Sequence, residues 1–307
     1  MPDPIAMAQA AGLVLAIAAM VVGLSWPDAR WIVGVGVAYY LGCGLLGLQP
    51  RWSIREDLDR LLVLVIPAVL LVELLASLPR LPRWLIWTLR LSVAGVAARV
   101  LLHGSIYLSG ATGPDSLAWT PAGVWLIVGS MAAAEMTAWV LLYLLARQSP
   151  GASLPMALAI AIGGASLTIM MSGYLTGGQA GLPLAAAVFG GSVAAMFVPD
   201  AARSTAAIGP AVVGLCGLLV IGRFFGELRT DHAILLFAAP LLAWLPEVPR
   251  LRRLPPWARG LLRVFLVALV VAGVVADAAR RFNAASAPSG ASGSKEATSH
   301  DYSNDYR

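Results

Sequence analysis

The residues of this sequence that are best suited to chemistry are ionisable side chains inside long apolar runs. Glu73, Arg99 and Glu135 each interrupt such a run, and His103 follows Arg99 by four residues, which puts both on one face of a helix. A charge at the centre of a membrane-spanning helix is unfavourable by roughly 3 kcal/mol, so these residues are candidates for a functional site. The apolar run that contains Arg99 lies between the runs that contain Glu73 and Glu135. We therefore expect Arg99 to pair with one of these two carboxylates.

Such a pair has two interpretations. It either fixes how neighbouring helices pack, or it acts as a charge relay or substrate-binding group in a polar cavity. The sequence leaves both open.

Two prolines give a separate signal, because Pro67 and Pro240 interrupt apolar runs at matching positions of an internal repeat. Proline-interrupted segments at corresponding repeat positions point to a transporter's substrate site. The alternative is a simple kink whose freed backbone groups are bonded by neighbouring helices. The predicted substrate pathway therefore contains six residues: Glu135, Arg99, Glu73, His103, Pro67 and Pro240.

Signatures of catalysis or metal binding are weak. The turn 226–232 groups Glu227, Asp231 and His232, but one histidine and two acids on a short loop are more typical of a solvated connection than of a metal site. The sequence contains no zinc-binding helix motif, no nucleophile elbow and no phosphate-binding loop. We therefore predict no catalytic residue, no metal, no cofactor and no enzymatic activity.

The composition indicates the class of protein. The chain has 307 residues, of which 59% are hydrophobic and 12% charged, against about 25% charged in an average soluble domain. Too little polar surface remains to cover a soluble globule, so we predict an all-α polytopic membrane protein. Its 21 basic residues lie mostly in short connections between apolar runs, which favours contact with lipid headgroups and excludes a nucleic-acid partner.

Apolar runs of membrane-spanning length predict about ten transmembrane helices. Pairs of small residues four apart, such as Ala159/Gly163 and Ala186/Gly190, predict close contacts between them. The predicted spans are 5–25, 31–48, 61–78, 84–108, 122–146, 155–174, 181–198, 206–222, 233–248 and 261–275.

An internal duplication relates the two ends of this series. Residues 67–90 align without a gap to residues 240–263, a separation of 173, and Arg90 falls on Arg263. Glu73 falls on Pro246 and Arg99 on Ala272, so these two charges occur in one copy, and a function would be concentrated in the first copy and the inserted segment that contains Glu135. We predict that spans one to four recur as spans seven to ten in the same orientation, since an even number of spans intervenes. The predicted units are a first four-helix repeat at 1–108, an inserted two-helix hairpin at 109–180, a second four-helix repeat at 181–278 and a disordered polar tail at 279–307.

The predicted function follows from this architecture. We expect a small-solute or ion transporter in a bacterial-type inner (plasma) membrane, with the lipid bilayer, a solute or ion and a membrane protein as its partners. The distribution of arginines narrowly favours both termini outside the cytoplasm. The alternative is a non-catalytic membrane scaffold or anchor subunit of a larger complex; a membrane-embedded enzyme ranks third because no polar cluster supports it.

Overall fold

The computed structural model of the chain describes residues 4–24, 29–48, 54, 56–109, 118–198 and 205–286. Over these ranges the chain is helical and contains no strand. Helices suit so apolar a chain, since backbone groups in a bilayer must be hydrogen-bonded within their own segment. Of the tail predicted at 279–307, residues 287–307 lie outside the described residues.

The helices are numbered in chain order, and two of them change type along their length. Helix α3 covers 57–76 and contains a π-helical turn at Leu61–Val65, while α9 runs as an α-helix over Thr230–Ala238 and as a 3-10 helix over Ala239–Glu247. The others are α1 (Pro4–Leu24), α2 (Ala29–Leu45), α4 (Arg83–Leu101), α5 (Pro121–Gln148), α6 (Ser153–Met171), α7 (Leu175–Phe197), α8 (Ile208–Phe224) and α10 (Pro256–Ser286).

Six helices of the described chain are long and apolar enough to cross a membrane: α1, α4, α5, α6, α7 and α10. This length and composition are those of a multi-pass membrane protein. Helices α2 and α8 are apolar but shorter, and α3 and α9 change helix type midway, which is why fewer than ten qualify. The count of ten spans and the duplication stay predictions.

The centre of the bundle is formed by α6, α7 and α8. Every residue of α8 from Ile208 to Gly222 is buried, and this helix contacts α3, α4, α5, α6 and α7. Helix α1 packs against α7, and α10 packs against α6. Helix α6 belongs to the predicted inserted hairpin, yet it lies in the core.

The contact between α1 and α7 depends on a glycine. A Cβ atom placed on Gly190 would lie 2.3 Å from the carbonyl oxygen of Leu15 and 3.0 Å from its Cα. Such distances are shorter than van der Waals contact, and the atoms in the way belong to backbone. The predicted close approach at Gly190 is therefore confirmed, whereas a Cβ on Gly163 would meet Ala185 at an ordinary 3.7 Å.

We expect the Gly190→Ala substitution to destabilise the protein by ~1–3 kcal/mol, because α1 has to move away from α7 to admit the methyl group. Thermal unfolding of the purified protein in detergent measures this effect. Gly163→Ala is the matched control, and it should be neutral or slightly stabilising because alanine is the better helix former. Equal melting temperatures for the two variants would contradict the contact.

Candidate functional site

A buried ion pair joins α3 to α4. Arg90 Nε donates a hydrogen bond to Glu73 Oε1 and Arg90 Nη2 donates one to Glu73 Oε2, each at 2.8 Å. The two side chains are only 5% and 2% exposed. A bidentate pair of this kind constrains both side chains, so it fixes how the two helices pack.

Aromatic rings surround the arginine. Arg90 Cζ lies 4.8 Å from the ring centroids of Trp87 and Tyr143 and 5.7 Å from that of Trp139. Guanidinium groups at these distances are attracted to the ring faces. Because Tyr143 and Trp139 belong to α5, Arg90 links three helices.

A cavity of about 360 Å³ opens beside this pair. Glu73, Arg90, Trp87 and Tyr143 line its inner part, and the exposed side chains of Arg83 and Arg147 also line it. Its described lining residues include three guanidinium groups and one carboxylate. The cavity is therefore positively charged, and aromatic rings form part of its wall.

A stripe of polar and aromatic side chains leads from the cavity into the bundle. Glu135, Trp139, Tyr143 and Arg147 follow one another along α5 at four-residue intervals, which places them on one face of the helix. Arg147 and Tyr143 line the cavity, and Glu135 lies roughly 12 Å deeper than Tyr143 at 1.5 Å rise per residue.

Glu135 has no hydrogen-bond partner for its Oε1 atom among the described residues, although its side chain is buried and 4% exposed. Trp139 is fully buried, and its indole N–H also has no partner in the described part of the chain. Gly209 of α8 makes room here, since a Cβ at that position would lie 2.6 Å from Trp139 and 2.7 Å from Glu73 Oε1. The deep end of the stripe is thus polar, buried and unsatisfied.

Arg99 and His103 do not line the cavity beside Glu73 and are not on the polar stripe of α5. Helix α4 ends at Leu101, and Gly104 with a positive φ of 74° follows in the turn. Arg99 is therefore in the last turn instead of mid-span, where its long side chain can reach the headgroup region, and both it and His103 are exposed. The prediction that Arg99 pairs with Glu73 or Glu135 is wrong: Glu73 pairs with Arg90, and no described carboxylate pairs with Arg99.

A signal in the sequence could have found Arg90. Glu73 lies four residues before the turn 77–82 and Arg90 eight residues after it, so an antiparallel hairpin brings both into the same part of the bundle, where their long side chains can meet. The repeat alignment alone identifies Arg90 only as the match to Arg263.

Both prolines lie where a helix changes type. Pro67 is the second residue after the π-helical turn of α3, and the Leu62 carbonyl, five residues before it, accepts a 2.7 Å hydrogen bond from the Tyr40 hydroxyl of α2. Proline has no N–H to offer that carbonyl, so a neighbouring helix supplies the donor. Pro240 is the second residue of the 3-10 part of α9. Neither proline lines the cavity beside Glu73.

A second cluster of charges surrounds Glu247 at the end of α9. Its carboxylate accepts hydrogen bonds from Arg263 Nη2 and, at 2.8 Å, from Ser149 Oγ, while Arg252 Nε lies at 3.4 Å and Arg259 Nη1 at 3.7 Å. Arg263 is the repeat equivalent of Arg90. Its carboxylate partner precedes it by 16 residues, against 17 for the Glu73–Arg90 pair.

The side chains of the turn 226–232 do not converge on a common point. Arg229 donates to Asp231, with Nη2 to Oδ2 at 2.7 Å, and this hydrogen bond holds the pKa of the Asp231 carboxyl well below its usual range. His232 Nε2 instead lies 2.9 Å from Asp277 Oδ2. No group of three or more His, Cys, Asp or Glu side chains among the described residues is arranged to hold a metal ion.

Comparison with known proteins adds no assignment to this geometry. No protein-family model matches the sequence, and no curated protein matches it significantly.

Proposed function

We propose that the protein is a multi-pass membrane transporter for a small solute or ion, and that its pathway begins in the cavity beside Glu73 and Arg90. The observation that carries this proposal is the polar stripe on α5, which runs from that cavity to the buried Oε1 of Glu135, an atom with no partner in the described part of the chain. A buried polar atom without a partner in the protein is unfavourable by ~1–3 kcal/mol. Groups of this kind in membrane segments typically belong to substrate or ion pathways.

The charge of the cavity favours an anionic solute. Arg83, Arg90 and Arg147 outnumber Glu73, the one acidic residue among its described lining residues. Guanidinium groups recognise carboxylates and phosphates through paired N–H donors, and the rings of Trp87 and Tyr143 suit a solute with an apolar portion.

The proposal includes ten spans and a duplicated four-helix unit. The six long helices, the shorter α2 and α8, and the composite α3 and α9 together supply ten apolar segments. Two buried Arg–Glu pairs at matching positions, Glu73 with Arg90 and Glu247 with Arg263, support the duplication. The ungapped alignment does not pair Glu247 with Glu73, because Glu247 follows the aligned position by one residue. Helix α9 changes to a tighter 3-10 form before it reaches Glu247.

Orientation and localisation belong to the same proposal. The arginines beside Glu73 and those around Glu247 lie at the same end of the bundle, where α5 ends and α6 begins. The positive-inside rule puts that end at the cytoplasmic face of an inner (plasma) membrane, and both termini outside the cytoplasm.

The alternative function is a scaffold or anchor subunit for a membrane protein partner. One observation favours it: the Glu73–Arg90 pair is closed and bidentate, as expected for a contact that only holds helices together. The open cavity and the Oε1 atom of Glu135, which has no partner among the described residues, favour transport instead.

Cysteine accessibility separates the two functions. Single cysteines replace Glu135, Tyr143, Ala157 or Arg250 in a background without Cys43 and Cys216, and a membrane-impermeant thiol reagent is added to intact and opened vesicles. Arg250→Cys reports an exposed loop and Ala157→Cys a fully buried position in α6. A water-filled pathway gives labelling at positions 250, 143 and 135 but not at 157. Labelling at 250 without any at 135 would contradict the pathway and favour the scaffold.

A further inference from the structure

A second and larger cavity, of about 1140 Å³, lies beside the Glu247 cluster. The start of α6, the end of α7 and the first turns of α10 enclose it. It shares no lining residue with the cavity beside Glu73, so it is a separate feature of the same end of the bundle. Its polar wall includes Ser149, Ser153, Glu247, Arg252, Arg259 and Arg263.

The arginines of this wall are not balanced by its acidic residue. Among the described lining residues, three guanidinium groups surround the single carboxylate of Glu247, which leaves two formal positive charges. Arg252 is exposed, but Arg263 is 96% buried, since only 4% of it is accessible. Glu247 neutralises one of these charges, and an anion bound in the cavity would form charge-assisted hydrogen bonds with the other two.

Two arginines of this wall also have unused donors. The Nε atoms of Arg259 and Arg263 are buried, and neither has a hydrogen-bond partner among the described residues. Arg263 Nη1 makes only a long contact of 3.4 Å, with Ser153 Oγ. Both arginines line the cavity, but their Nε atoms are themselves inaccessible, so the guanidinium groups present their other atoms to it.

The surroundings match one ligand chemistry. Phosphate oxygens take paired N–H donors from arginine, and helix N-termini favour anions. Two long helices, α6 and α10, begin at this cavity. Trp257 is 72% exposed at its edge, where an aromatic ring at headgroup level is expected.

We propose that this cavity binds a phosphate group, carried either by an anionic lipid headgroup or by a free phosphate compound. The site is independent of the proposed transport pathway. Its ligand would supply the negative charge that Glu247 alone does not.

Ligand-dependent thermal stability of the purified full-length protein in detergent tests this site. The probes are phosphatidylglycerol, zwitterionic phosphatidylcholine and inorganic phosphate, each titrated against the melting temperature. The variants Arg259→Gln and Arg252→Gln remove donors near Glu247 without emptying the buried Arg263 position. Arg253→Gln is the matched control, because Arg253 is adjacent in sequence but does not line the cavity.

We expect phosphatidylglycerol or inorganic phosphate to raise the melting temperature of the wild type and of Arg253→Gln. The midpoint concentration should be roughly tenfold or more higher in Arg259→Gln, since one charge-assisted hydrogen bond is lost. A shift with phosphatidylglycerol alone identifies a lipid headgroup, and an equal shift with inorganic phosphate identifies a free phosphate. No shift with either probe, an unchanged midpoint in both Arg259→Gln and Arg252→Gln, or the same loss in Arg253→Gln would overturn the site.

Discussion

Replacing Arg90 with methionine should lower the free energy of unfolding by ~3–5 kcal/mol, the largest effect we expect from a single substitution in this chain. The change leaves the carboxylate of Glu73 buried, with only 2% of its side chain exposed, and without its cation. It also removes the guanidinium that packs between Trp87 and Tyr143.

Unfolding of the purified variant in detergent measures this loss. Arg83→Met is the matched control, because Arg83 lies on the same helix and lines the same cavity but is exposed, and its effect should stay within about 0.5 kcal/mol. Adding Glu73→Gln to Arg90→Met should recover part of the stability, since the unpaired buried charge is removed. A loss for Arg90→Met no larger than that for Arg83→Met would contradict the structural role of the pair.

Replacing Glu135 with leucine should raise the free energy of unfolding. The substitution removes a buried carboxyl whose Oε1 has no partner among the described residues, so we expect stability to rise by ~1–3 kcal/mol. If Glu135 lies on the transport pathway, the same variant loses transport. A gain in stability with a loss of activity is the pattern expected for a group retained for function.

Two measurements test this prediction. Thermal unfolding gives the stability of Glu135→Leu, and Glu135→Gln serves as a control that keeps polar atoms of similar size at the position. Charge movement in proteoliposomes exposed to a panel of small carboxylates and phosphates gives the activity. Destabilisation of Glu135→Leu by more than about 2 kcal/mol would mean that the carboxyl stabilises the packing of α5 against α8, and the pathway would lose its main support.

Helical class and burial were predictable from the sequence. Helices satisfy all their backbone groups within one segment, so the composition and the long apolar runs predicted an all-helical chain, and six described helices are long and apolar enough to cross a membrane. The burial of Glu73 and Glu135 followed from the apolar runs that contain them. The contact at Gly190 followed from the small-residue spacing, because close approach of helices requires the absence of a side chain.

The partners of the charged groups were decided by the tertiary structure. Helix α4 ends at Leu101, so Arg99 is exposed and Arg90 is the arginine that faces Glu73. In the second half, the 3-10 geometry of α9 brings Glu247, not the aligned residue Pro246, to Arg263. The apolar runs predicted burial correctly for Glu73 and Glu135 but not for Arg99. Burial and hydrogen bonding of a charged group depend on where each helix ends and how it is rotated, and contacts between distant segments determine both.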